Sequence, residues 1–224
     1  MIESKLSQIR TAIAEACRQE SQTHELEIYL TSLAPRLHKA ISLPRENSAA
    51  VLLQFVVRYI EHAPDFLATL AAAMERNGVL AYGTVFLEIA TDFFLQPPEV
   101  VHHDGGLRAL IDEAYLAHRL VEEINDRLLI LCGVPLAPMD MTMANIIVHQ
   151  LLGEEFANQL DLAVHYAVEA LFQPDQLSGD SRLARFVVQH AHSGGSYTTE
   201  WPCMVDDSEI HLNFAASSAK VTEH

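Results

Sequence analysis

Residues 80–95 read LAYGTVFLEIATDFFL. Wound as a helix, Val85, Phe86, Leu87, Ile89, Phe93, Phe94 and Leu95 cover nearly the whole circumference. A helix that is apolar all round must sit inside other helices, so this segment predicts a bundle. Pro97-Pro98 ends it. Working toward the C-terminus, a loop of His102, His103, Asp104, Gly105 and Gly106 leads into the longest expected helix, Leu107 to Leu131. Gly133 and Pro135 close that helix. Asp140 or Thr142 can cap the next one, which reaches Leu152. Gly153 separates it from a helix over Glu154 to Phe172, whose two leading acids suit the positive end of the helix dipole.

Working toward the N-terminus, the signals are again helical. Asn77-Gly78 stops a helix that runs to Arg76, with Pro64 in its first turn. Asn47 or Ser48 can cap a separate helix over Ala49 to His62. Leu43 to Asn47 read as a loop. Before them, Pro35 should bend or split a helix over His24 to Ile41. The first helix spans about Glu3 to Arg18, with Leu6, Ile9, Ile13 and Cys17 on one face.

The expected fold is all-α: a multi-helix bundle of about six to eight helices over residues 1–174, with residues 1–43 as peripheral N-terminal helices. Residues 175–224 form a partly irregular C-terminal appendage. It would hold one short helix over Ser181 to His190 and a weak hairpin pairing Tyr197–Val205 with Ile210–Phe214.

Composition narrows the function. The 224-residue chain is 50% hydrophobic, which a packed core requires, and carries a formal net charge of -16. Such a surface repels phosphate backbones, so no nucleic-acid partner is expected. No run of about 18 apolar residues offers a membrane span. No apolar segment follows Met1, so no secretory signal is expected and the cytoplasm is the default compartment. Cys17, Cys132 and Cys203 are too scattered for a disulfide framework or a thiolate zinc site. Between Arg127 and Arg182 there is no basic residue, while Asp140, Glu154, Glu155, Asp161, Glu169, Asp175 and Asp180 all fall there. These acids must be solvated, paired at long range, protonated or metal-bound, and solvation accounts for most of them.

Four segments of the central bundle carry acid, amide or imidazole groups one helical turn apart. They are Glu88 and Asp92; His118, Glu122 and Asn125; Asn145 and His149; and Asp161, His165 and Glu169. Each alone reads as a boundary residue with a satisfying neighbour. Together they match the way bundles build dinuclear carboxylate/histidine centres, in which side chains from four helices project inward. The expected metal ligands are Glu88, His118, Glu122, His149, Asp161 and His165, and their chemistry suits iron or manganese. The i, i+3 Glu-x-x-His pair typical of such centres is missing from these helices; His118/Glu122 and Asp161/His165 are spaced by four. His190 and His192 could chelate weakly near Gly194-Gly195.

The expected function is therefore a non-haem, metal-dependent oxidase or oxygenase acting on a small molecule, with Tyr115 and Tyr166 near the metals. Two rivals use the same residues differently. One is a non-enzymatic acidic adaptor that binds a protein partner with a basic surface, alone or as a homo-oligomer, with arginines pairing Glu88 and Glu122. The other is a carrier of apolar ligands, with a pocket among Phe86, Phe93, Met141 and Met143.

Overall fold

The computed structural model describes residues 1–101, 105–193, 201–202, 204 and 209–213. Among these, the chain is an all-α bundle of eight helices with one two-stranded ladder. The helices are α1 (Ile2–Thr23), α2 (Glu25–Leu33), α3 (Ser48–Arg76), α4 (Leu80–Leu95), α5 (Gly106–Cys132), α6 (Thr142–Leu152), α7 (Glu154–Leu171) and α8 (Arg182–Ser193). No helix among the described residues is long and apolar enough to cross a membrane.

The apolar segment lies where its composition requires. α4 packs on α1, α3, α5 and α8 and buries Phe86, Leu87, Phe93 and Phe94. The other central helix is α5, which touches α1, α3, α4, α6, α7 and α8. At Gly83 the packing is so close that an added Cβ would lie 2.7 Å from Met74 Sδ and 2.9 Å from the Phe186 ring. Phe186 is fully buried and meets Phe86 edge-on at 5.1 Å, so α8 belongs to the same core.

Several local expectations are corrected. Residues 48–76 form one helix, and Pro64 lies in its interior rather than at a start. Proline removes one backbone donor. The helix continues because Ile60, Ala63, Phe66 and Leu67 are buried on both sides of it. The helix expected over His24 to Ile41 ends at Leu33, and Ala34–Arg36 tighten into a 3₁₀ turn around Pro35. Asn47 does precede α3, but at φ 60°, and its side chain makes no cap bond. A capping side chain needs extended backbone to reach back over the first turn. Met141, rather than Asp140 or Thr142, holds the cap position of α6. The cap of α2 comes from the preceding helix: the Glu20 carboxylate accepts the Leu26 and Glu27 N–H groups, each at 3.0 Å.

The C-terminal strand also finds a different partner. His211–Leu212 (β2) pair antiparallel with Ile41–Ser42 (β1), with Ile41 opposite Leu212. Most of the expected partner strand, Tyr197–Val205, lies outside the described residues, as do His102 to Asp104.

Candidate functional site

The long helix α5 presents Tyr115, Arg119, Glu122 and Asp126 at spacings of four, three and four, which puts them on one face. That face, α6 and α7 enclose a cleft of about 520 Å³. α6 contributes Asn145 and His149, and α7 contributes Asp161. Neither α6 nor α7 contains a lysine or arginine, because both fall in the interval without basic residues. Among the described residues, Arg119 is the one arginine or lysine in the lining.

Arg119 binds two carboxylates at once. Its Nε donates to Asp161 Oδ1 at 3.0 Å, and its Nη1 donates to Glu122. Burial works against the guanidinium charge, but the Asp161 and Glu122 bonds outweigh it and raise the pKa above the ordinary arginine value. Asp161 also accepts the Tyr115 hydroxyl at 3.0 Å. Burial, and then the charge of Asp161, lift the Tyr115 pKa, so this phenol stays protonated. His149 Nε2 stands 4.0 Å from Asp161 Oδ2 and 3.4 Å from Asn158 Oδ1.

At the inner wall of the cleft, the Tyr59 hydroxyl donates to Asn145 Oδ1 at 2.6 Å. Burial first, then neighbouring ionisable groups, raise the Tyr59 pKa well above normal. A phenol kept protonated has a hydrogen to donate, so Asn145 turns its oxygen toward it. This leaves Asn145 Nδ2 buried with no hydrogen-bond partner among the described residues, on a side chain only 5% exposed.

Behind Tyr59 lies a second polar pair. The Tyr59 and His118 rings are 4.4 Å apart. His118 Nε2 and His62 Nδ1 are 2.9 Å apart, and His62 Nε2 lies 3.0 Å from the Pro202 carbonyl. A carbonyl only accepts, so His62 carries its proton on Nε2 and accepts from His118 at Nδ1. Burial is the main cause that lowers both pKa values; for His118, the neighbouring His62 lowers it further. The adjacent Trp201 ring packs 5.2 Å from Phe66, which seats this part of the C-terminal segment on α3.

The six expected metal ligands thus divide. Glu122, His149 and Asp161 meet in the cleft. His118 turns into the core beside His62. His165 is exposed next to Tyr166, itself 64% exposed. Glu88 is half-buried on α4, which does not line the cleft, and its carboxylate makes no hydrogen bond or ion pair among the described residues. No group of three His, Cys, Asp or Glu side chains among the described residues could hold a metal ion. The Arg119 guanidinium bridges Glu122 and Asp161, so the pair that would hold a bridging cation already holds a positive charge. The expected arginine partner of Glu122 is therefore present in Arg119.

Other expected groups are structural. Asn125 donates to the Ala137 carbonyl and accepts the Ala137 N–H, each at 3.0 Å, pinning the loop after α5. His190 is buried and bonds the Pro135 carbonyl at 2.9 Å, while His192 is exposed. Sequence reading missed Tyr59 and His62 altogether. Both lie on the buried stripe of α3, where nothing local separates an aromatic filler from a hydrogen-bonding group.

A second cleft of about 440 Å³ lies between Tyr29, Arg108, Leu151 and Phe156. Its Arg108 sits over the Tyr29 ring at 4.4 Å, and the Tyr29 hydroxyl is bonded to the Leu151 carbonyl at 3.1 Å. Compared with protein-family models, curated proteins and solved structures, the chain matches none.

Proposed function

We propose that this protein binds a small molecule in the cleft between α5, α6 and α7. The observation that carries this reading is Asn145, a residue of the cleft lining whose buried Nδ2 has no hydrogen-bond partner among the described residues. An unmade buried hydrogen bond costs about 1–3 kcal/mol, and a ligand with an acceptor relieves that cost. The volume falls in the range of small-molecule pockets. Tyr59 holds Asn145, and Asp161 holds Tyr115 and Arg119, in fixed orientations, as a pre-organised site requires.

The binding reading needs only the side chains that meet in this cleft. A dinuclear iron or manganese oxidase would also need His118 and His165, and one of these faces the core while the other faces solvent. An acidic adaptor would use the surface and leave Asn145 unexplained.

The test is a thermal-shift screen of metabolite-sized compounds, repeated on Asn145→Leu. A ligand at 100 times its Kd stabilises by about 2.7 kcal/mol. For a chain of this size each kcal/mol moves Tm by about 2–4 °C. The expected result is hits that shift the native protein and lose most of their effect in the variant. Hits that stabilise both proteins equally, or none at all, overturn the reading. Metal content by mass spectrometry, on protein purified without chelator, separates it from the oxidase: stoichiometric iron or manganese would favour the oxidase.

A further inference from the structure

We infer that the ligand of this cleft is a small amine that also carries an oxygen acceptor, such as an amino alcohol; this rests on the binding reading above. Two independent features point to the two halves of that molecule.

The first is charge. Glu122, Asp126 and Asp161 line the cleft against a single guanidinium, Arg119, so its walls carry excess negative charge. The charge of Arg119 is already matched, because Glu122 and Asp161 hold it on two sides. A carboxylate or phosphate approaching it would lie among like charges. An ammonium group meets the opposite situation. Asp126 stands exposed one turn beyond Glu122 and offers a carboxylate at the rim. The field of the whole acidic chain draws cations toward it.

The second is the direction of the free hydrogen bond. Tyr59 donates to Asn145 and Tyr115 donates to Asp161, so both phenols already have acceptors. Asn145 Nδ2 offers hydrogens only, and its complement is a hydroxyl, ether or carbonyl oxygen. Ile146 and Met139 add apolar wall for the carbon skeleton between the two polar ends.

Four probes on one skeleton test this by calorimetry at low salt: 2-amino-1-phenylethanol, 2-phenylethylamine, 1-phenyl-1,2-ethanediol and mandelic acid. The amino alcohol should bind most tightly. The amine without the hydroxyl should bind about tenfold more weakly, since it leaves the amide unpaired. The diol should be weaker than both amines, and the acid weakest of all. Asn145→Leu should erase the difference between the two amines. That variant also removes the acceptor of Tyr59, so Asp126→Asn, at an exposed position, serves as the second. It should keep the fold by circular dichroism and weaken both amines about fivefold, with the diol unchanged.

Tighter binding of the diol or the acid than of either amine overturns the cationic half and leaves the cleft as a binding site. Equal binding of the two amines overturns the oxygen half. Binding of none of the four overturns the inference as a whole, and the compound screen then decides separately whether the cleft binds anything.

Discussion

His118 and Arg119 are consecutive in α5, and they belong to two polar clusters that follow opposite rules. One residue of helix turns a side chain by about 100°. Arg119 is thereby aimed at the cleft, where water reaches part of the site and both partners are carboxylates. His118 is aimed at the core, 1% exposed, where its partners are a second histidine and an aromatic ring. The first cluster survives by pairing charges. The second survives by having none, because a lone charge at that depth would cost several kcal/mol and the imidazoles give up their protons instead. Tyr59 stands between them: its hydroxyl bonds Asn145 of the cleft lining, and its ring meets His118.

The largest effect should come from breaking the charged side. Arg119→Met leaves Asp161 and Glu122 half-buried without the cation they share. Stability to urea should fall by about 2–4 kcal/mol at neutral pH, the cost of stranding one half of a buried ion pair. A loss within surface-pair range, under about 1 kcal/mol, would show that water screens the cluster and that the contrast with the core is smaller than drawn.

The neutral side should fail in acid. The folded-state pKa values of His62 and His118 lie below the unfolded value, so below about pH 6.5 the unfolded chain takes up protons that the folded one refuses. Their contribution is present in full above that pH and is lost as pH falls. Glu113 runs the other way. Burial, then the charge of Asp112, push its pKa up to about 8 in the folded state, so its contribution is present at low pH and lost as pH rises through that value. The difference between native protein and His118→Leu isolates the histidine part. Between pH 7.5 and 5.5 the native chain should lose about 1–2 kcal/mol more than the variant in urea titrations. Parallel pH profiles for the two proteins would mean that the pair is not neutral when folded.

The smallest effect sharpens the comparison from outside. His165→Ala removes an imidazole that belongs to neither cluster. Its effect on stability should stay within about 0.5 kcal/mol, as for other surface sites. The same probes should bind the variant with unchanged Kd. Loss of bound iron or manganese from this variant would restore the dinuclear centre instead.

Much of the scaffold was legible in the sequence because its signals are local. The apolar circumference of residues 80–95 required burial, and Gly133 and Gly153 marked the ends of α5 and α6, at φ 74° and 87°. Pro64 shows the limit of local signals: a local rule assigns it to a helix start, and only packing on both sides keeps α3 continuous. For the site, the interval without basic residues already implied that any arginine or lysine pairing with Asp161 comes from outside its own segment. It did not name Arg119, which lies 42 positions earlier.

The sequence by itself determined that this chain is an acidic bundle of helices, which helices are most buried, and that α6 and α7 supply no basic side chain. Those properties depend on residue type and on a repeat of about four residues. The tertiary structure alone decided that Glu122, His149 and Asp161 would meet while Glu88, His118 and His165 would not. It also decided that Tyr59 would reach Asn145 across 86 positions and that His62 would reach His118 across 56. The rotation of one helix against another sets such meetings, and a shift of one residue, about 100°, exchanges a cleft for a core.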